Sequence, residues 1–244
     1  MKTVEFGKQH NDVIMLLHGG GLSWWNYKAE AELLKDQYHV VLPILDGHAG
    51  GDSDFISIEE NASRLISFID KEFGGSVLLI GGLSLGAQIL VEMLTQQNTI
   101  CQNAVIESAS IIPSKLTNAL IKPMFSLSYG LVKMKCFAQM QFDYLHIRKD
   151  LFEDYYRDTS QISKENMIAF LEANTSYEIK PGLQNAHTKV RILVGEKEQK
   201  KMICSAEQLH KALPGSVLEI KKGLYHGEYS INYPEEYTKE LLDM

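Results

Sequence analysis

A chain of 244 residues with 45% hydrophobic side chains can bury one sizeable core, and it reads as a single α/β domain with room for an inserted piece. A formal net charge of −7, with no basic cluster longer than a few residues, argues against a nucleic-acid partner. Cys101, Cys136 and Cys204 lie far apart without a CxxC pair, and the opening MKTVEFGKQHND lacks the apolar core of an export signal, so a cytoplasmic chain with reduced thiols is expected.

Short, continuous apolar runs mark strands buried on both faces. In chain order they are DVIMLL (Asp12–Leu17), YHVVLPIL (Tyr38–Leu45), SVLLIG (Ser76–Gly81), NAVIES (Asn103–Ser108), VRILVG (Val190–Gly195) and SVLEIK (Ser216–Lys221). Helix-period segments alternate with them. WNYKAEAELLKDQ separates the first two strands, and SIEENASRLISFIDKEF the next two. In the second, Ser57 and Glu60 fit a capping box, and Ile58, Ala62, Leu65, Ile66 and Ile69 recur at helical spacing. AEQLHKAL and PEEYTKELL supply later helices. This alternation predicts a doubly wound, mostly parallel sheet.

The rhythm breaks between Ala109 and Lys189, where Met- and aromatic-rich helical pieces replace strands. The expected organisation is a core of residues 1–108 and 190–244, with 109–189 forming an inserted helical cap and a return helix. Some cap residues, Met124 and Phe125 among them, are candidates to line an apolar pocket, since such side chains adapt to apolar ligands. The stretch Phe73–Val91 carries no formal charge, but its two Gly-Gly pairs favour a strand and a helix over a membrane span, so no stable membrane insertion is expected.

Gly82-Leu83-Ser84-Leu85-Gly86 sits between a buried strand and a helical run. A pattern Gly-x-Ser-x-Gly alone is weak, but in this context it is a candidate nucleophile elbow with Ser84 at its tip. No Gly-x-x-x-x-Gly-Lys-Ser/Thr or Gly-x-Gly-x-x-Gly motif supports a phosphate site. Serine needs a base, an acid behind it and donors for the developing oxyanion. HGGGLSWW (His18–Trp25) follows the first strand and offers the second part: the N–H of Gly20, paired with that of Leu85, forms a candidate oxyanion hole. His18 precedes the serine at the loop hinge and reads as a structural hydrogen-bonder. Trp24 and Trp25 are either helix packing or the wall of an acyl pocket.

These motifs, with LDGHAGGDS (Leu45–Ser53), VGEKE (Val194–Glu198) and YHGE (Tyr225–Glu228), resemble those of the α/β-hydrolase superfamily, in its order and from one end of the chain to the other. The resemblance implies a small serine esterase or lipase-like hydrolase of about seven strands, with the first antiparallel hairpin shortened. It places the acid at Glu198, where the family more often has aspartate, with Glu107 at the end of NAVIES as the alternative. It places the base at His226 rather than His210, which lies within a helical pattern. It gives Asp46 and His48 a structural loop and no catalytic role. The implied reaction is hydrolysis of a small to medium apolar carboxylic ester, with a small-molecule partner and neither cofactor nor metal. A thioesterase or acyltransferase would use the same triad, and a small-molecule receptor on this fold is the reading from another class.

Overall fold

The computed structural model describes residues 1–244. The chain runs β1 (Thr3–Phe6), β2 (Val13–Leu17), a 3-10 turn (Trp24–Tyr27), α1 (Lys28–Leu34), β3 (His39–Pro43), α2 (Ile58–Phe73), β4 (Val77–Leu83), α3 (Leu85–Gln96) and β5 (Cys101–Glu107). Four helices follow: α4 (Lys115–Val132), α5 (Lys135–Tyr144), α6 (Phe152–Thr159) and α7 (Lys164–Ser176). Then come β6 (Lys189–Gly195), α8 (Lys200–Ala212), β7 (Val217–Lys221), α9 (Glu228–Asn232) and α10 (Pro234–Leu242).

The strands form one seven-stranded sheet in the order β1-β3-β2-β4-β5-β6-β7. All neighbours are parallel except β1, which pairs antiparallel to β3 at the edge. The four half-buried residues of β1 are too few to give a strand signal in the sequence. Alternation along β2 shows why both faces must be covered. Ile14 and Leu16 enter one core with Leu79, Val105 and residues of α1 and α10, whereas Met15 and Leu17 enter the other with Ile80, Ala104 and residues of α2, α3 and α8.

Local signals fix the helix ends. The Ser57 hydroxyl accepts the Glu60 N–H at 3.0 Å to open α2. Gly74, at φ 72°, closes it in the left-handed conformation that glycine adopts without a Cβ penalty.

Two topological facts position the site. The chain moves from β2 to β3 on one side, then returns to place β4 on the other side of β2, so the loops after β2 and β4 diverge at a switch point. Crevices of this kind, at the carboxyl ends of strands, are where open α/β sheets bind ligands. In register, Leu17 pairs with Gly82 and Leu83 with Glu107, which carries the glycine loop, the serine turn and the end of β5 to the same edge.

Candidate active site

Ser84 stands between β4 and α3 at φ 53° and ψ −109°, a conformation that costs energy for any residue but glycine. Its N–H donates to the Glu107 carbonyl at 2.9 Å, and its own carbonyl accepts the Gln88 N–H. The flanking glycines are steric necessities. A Cβ on Gly82 would lie 2.6 Å from the Gly86 carbonyl oxygen, and one on Gly86 only 2.2 Å from that of Leu17. The turn is tight because the first turn of α3 packs onto the end of β2.

The glycine loop lies opposite. Gly19 donates its N–H to Asn26 Oδ1 at 3.3 Å and Gly21 donates to His48 Nε2 at 3.0 Å, which leaves the Gly20 N–H without a partner within the chain. A Cβ on Gly20 would meet that of Leu85 at 3.5 Å, so the two residues face each other. Leu85 opens α3, whose first N–H groups and positive dipole end point toward this gap.

Two buried histidines support the loop. His18 Nδ1 donates to the Gly19 carbonyl at 2.9 Å, and its Nε2 accepts the Leu45 N–H at 3.1 Å. His48 Nδ1 donates to the Asp46 carbonyl at 3.0 Å, which leaves Nε2 to accept from Gly21. These tautomers follow from the hydrogen bonds. The His48 ring stacks on Phe170 at 4.8 Å and meets His18 edge-on. Burial pushes the His48 imidazole down to about 4, so it stays neutral and keeps its acceptor nitrogen free. Neither histidine faces the serine cavity, and Asp46 pairs with Arg64 at 3.1 Å.

His226 follows β7. Its Nδ1 donates to Glu198 Oε2 at 2.7 Å, and its side chain is 44% exposed. Glu198 Oε1 accepts from the Gly195 N–H and the Ser108 hydroxyl, both at 2.7 Å. Burial acts to raise the Glu198 carboxyl, but its bonds to His226, Ser108 and Gly195 and the His226 charge outweigh this and hold it below the usual glutamate value. The partial burial of His226 acts to lower it, but the Glu198 hydrogen bond and charge, helped by Glu107, leave it above the ordinary imidazole value.

Glu107 makes a different set of contacts. It is buried at the end of β5, with one oxygen accepting the Ser230 N–H at 3.3 Å and the other without a partner. Burial pushes its carboxyl up to about 7 despite the opposing Ser230 bonds. The carboxylate that touches His226 is therefore Glu198.

Ser84, His226 and Gly20 line one cavity of about 150 Å³, walled by Leu22, Leu83, Leu145, Ile147, Tyr155 and Ile231. A second cavity of about 360 Å³, lined in part by Tyr144, His146, Lys197, Met202 and Tyr225, meets it at Leu145 and His226. A larger space of about 670 Å³ lies at the amino ends of β2, β3 and β4, remote from the serine turn.

Trp24, Met124 and Phe125 are not in the wall of the serine cavity, contrary to expectation. Trp24 starts the 3-10 turn and packs on the α1 side of the core, and the neighbouring Trp25 is anchored by its Nε1–H to Asp158 at 2.8 Å. Met124 faces outward on α4, and Phe125 packs inward beneath the same helix. The segment between β5 and β6 instead contributes Leu145, Ile147 and Tyr155. The first two flank His146, at φ 57°, in the run Tyr144–Ile147; apolar residues alternating around a histidine after a helix were the available signal. Ser108 and Gly195, which orient Glu198, had no signal beyond their places at strand ends. His210, on α8, bonds to Ser216 Oγ at 2.9 Å and takes no part.

A search of curated protein sequences finds no match to this chain. Solved structures with the same fold include an enol-lactonase from Burkholderia xenovorans LB400, at TM-score 0.83 and 15% identity, covering 99% of this chain and 95% of that one. An esterase from Exiguobacterium antarcticum aligns at TM-score 0.81 and 16% identity, over 99% and 93% of the two chains. A thermophilic esterase from Thermogutta terrifontis aligns at TM-score 0.80 and 15% identity, over 99% and 91%. With the sequence model of the alpha/beta hydrolase family matching residues 14–225, from β2 through β7, the chain belongs to the alpha/beta hydrolase family.

Proposed function

We propose that this chain is a serine hydrolase that cleaves a carboxylic ester through an acyl-enzyme. One observation carries the reading. Ser84, His226 and the unpartnered Gly20 N–H line a single cavity, while Glu198 holds the far nitrogen of His226 at 2.7 Å. Fold alone does not choose a reaction, and it is this constellation that supports acyl transfer to a serine.

His226 Nε2 takes the Ser84 proton as Oγ forms a bond to the substrate carbonyl carbon. The carbonyl oxygen becomes an oxyanion, met by the N–H groups of Gly20 and Leu85. The tetrahedral species collapses, the C–O bond to the alcohol breaks, and the imidazolium returns its proton to that leaving oxygen. Water, deprotonated by His226, then attacks the acyl-serine, and the acid and free Ser84 are released. Glu198 keeps Nδ1 protonated and stabilises the imidazolium. The cavity of about 150 Å³ suits a short apolar acyl group, and the adjoining one of about 360 Å³ gives the alcohol a place on the far side of His226.

The test is turnover of a panel of short p-nitrophenyl esters by the protein and by Ser84→Ala, with fluorophosphonate labelling mapped by peptide. Loss of turnover and labelling at Ser84 support the reading; undiminished turnover in the variant sinks it. Product analysis with an added alcohol separates hydrolysis from acyl transfer.

A further inference from the structure

The outer face of α4 is apolar without a covering element. Leu116, Leu120, Met124, Leu127 and Leu131 are all exposed, Leu116 by 75% and Leu127 by 91%. At 100° per residue they fall within an arc of about 80° on one side of the helix. Single exposed leucines need no explanation, but a continuous stripe along an 18-residue helix does.

The opposite face is firmly docked. Ile121 and Val132 are buried, and Asn118 Nδ2 donates to the Glu172 carbonyl at 2.7 Å and to Thr175 Oγ1 at 2.9 Å, both on α7. The Tyr129 hydroxyl donates to the Ile162 carbonyl. The stripe therefore belongs to a helix whose inner face is already satisfied.

The charge along this stretch of chain is one-sided, with Glu165 of α7 the acid near Tyr129. The chain carries 31 acidic against 24 basic residues, yet residues 108–142 contain four lysines, no arginine and no acid. Lys115 and Lys122 lie about 100° and about 120° from the near edge of the stripe, both on the same side, and Lys133 and Lys135 follow its end. Lys115, Lys122 and Lys133 form no ion pair; Lys135 meets Glu153 at 2.6 Å. No helix is long and apolar enough to cross a membrane.

We infer that α4 docks this protein on the surface of an anionic lipid bilayer, its leucine stripe in the headgroup boundary and its lysines on lipid phosphates. The stripe is a convex ridge, which a deformable lipid interface accommodates without a matching groove. The lysine stems can lie along the apolar surface with their ammonium groups at the headgroups. A second copy of the chain is the poorer occupant, since stripe-to-stripe packing would bring lysines against lysines with no acid from residues 108–142 to meet them.

Co-sedimentation with vesicles tests this, using phosphatidylcholine alone and equal parts phosphatidylcholine and phosphatidylglycerol. The protein is expected to pellet with the anionic vesicles only, and less as salt is raised. Leu116→Ser with Leu127→Ser should lower partitioning about tenfold or more, as should Lys122→Glu with Lys133→Glu. All four positions are exposed, and unchanged thermal melts would show that the variants fold. No pelleting with anionic vesicles, or pelleting that survives the Leu116/Leu127 change, overturns the inference. So does a wild-type dimer that this change converts to monomer without vesicle binding.

Discussion

Glu198 and His226 meet at 2.7 Å across 28 residues of sequence, and the same carboxylate is held on its other oxygen by Ser108 and Gly195. Glu107 has neither relationship: its partner is the Ser230 backbone, 123 residues away. The two carboxylates are therefore expected to separate on mutation. Glu198→Gln should lower kcat on a p-nitrophenyl ester by about 100- to 10,000-fold, by loss of the imidazolium partner and the correct tautomer. Glu107→Gln should leave kcat within about tenfold. A reversed ranking would assign the acid to Glu107.

The pH profile follows from the same contact. In the proposed mechanism His226 can serve as the base only when neutral, and Glu198 stabilises its charged form, so its proton leaves above the ordinary value of 6.5. The acid limb of kcat/KM should have its midpoint above that value. In Glu198→Gln the largest raising influence is gone while burial still lowers the imidazole, so the residual activity should titrate at lower pH. Glu107→Gln should move the midpoint the same way but less, because Glu107 acts only through its charge. Hydrolysis rates across the neutral range check both shifts, and a midpoint unmoved in Glu198→Gln would refute the assignment.

The parts of this arrangement that follow from local rules were readable in advance. Five strands announce themselves as continuous apolar runs because parallel strands inside a covered sheet are buried on both faces, whereas β7, expected to be buried in the same way, is an edge strand with Val217 and Ile220 half exposed. Gly82 and Gly86 flagged the turn because no other residue fits backbone approaches of this closeness. What depends on which face of a helix turns inward was not readable. α4 is apolar on both faces, so periodicity could not tell that Phe125 points in and Met124 out. The Ser108–Glu198 contact joins residues 90 apart, and only the β5–β6 register brings them together.

In the proposed mechanism His48 acts on the glycine loop rather than on the substrate, as a positioning residue. It accepts the Gly21 N–H, and no other contact holds that group. His48→Phe keeps a ring that can stack on Phe170 but leaves the N–H unpaired, which frees the loop to move Gly20. The expected result is a fall in kcat of about tenfold or more, with KM changed much less, because the donor matters most when the oxyanion forms. The midpoint of the acid limb should stay where it was, since His226 and Glu198 are untouched. A pure packing loss would instead lower the melting temperature and leave kcat of the folded fraction intact.

Glu30 offers a test of the core that does not involve catalysis. It is 1% exposed on α1, its Oε1 has no partner, and burial, with the Glu107 charge adding to it, pushes its carboxyl up to about 8. Arg148 and a backbone N–H oppose the shift without cancelling it. In the unfolded chain the group ionises near its ordinary 4.5. Between these values the folded state binds the extra proton, so each rise in pH favours unfolding, and the loss is complete only above about 8. Glu30→Gln removes the titration while keeping the shape. Its stability relative to the native chain should therefore increase as pH rises from about 5 and level off above about 8, by an amount on the order of a few kcal/mol. Urea unfolding of both proteins at a series of pH values measures the difference directly. A gap that stays constant with pH would mean that Glu30 keeps an ordinary carboxyl in the folded state.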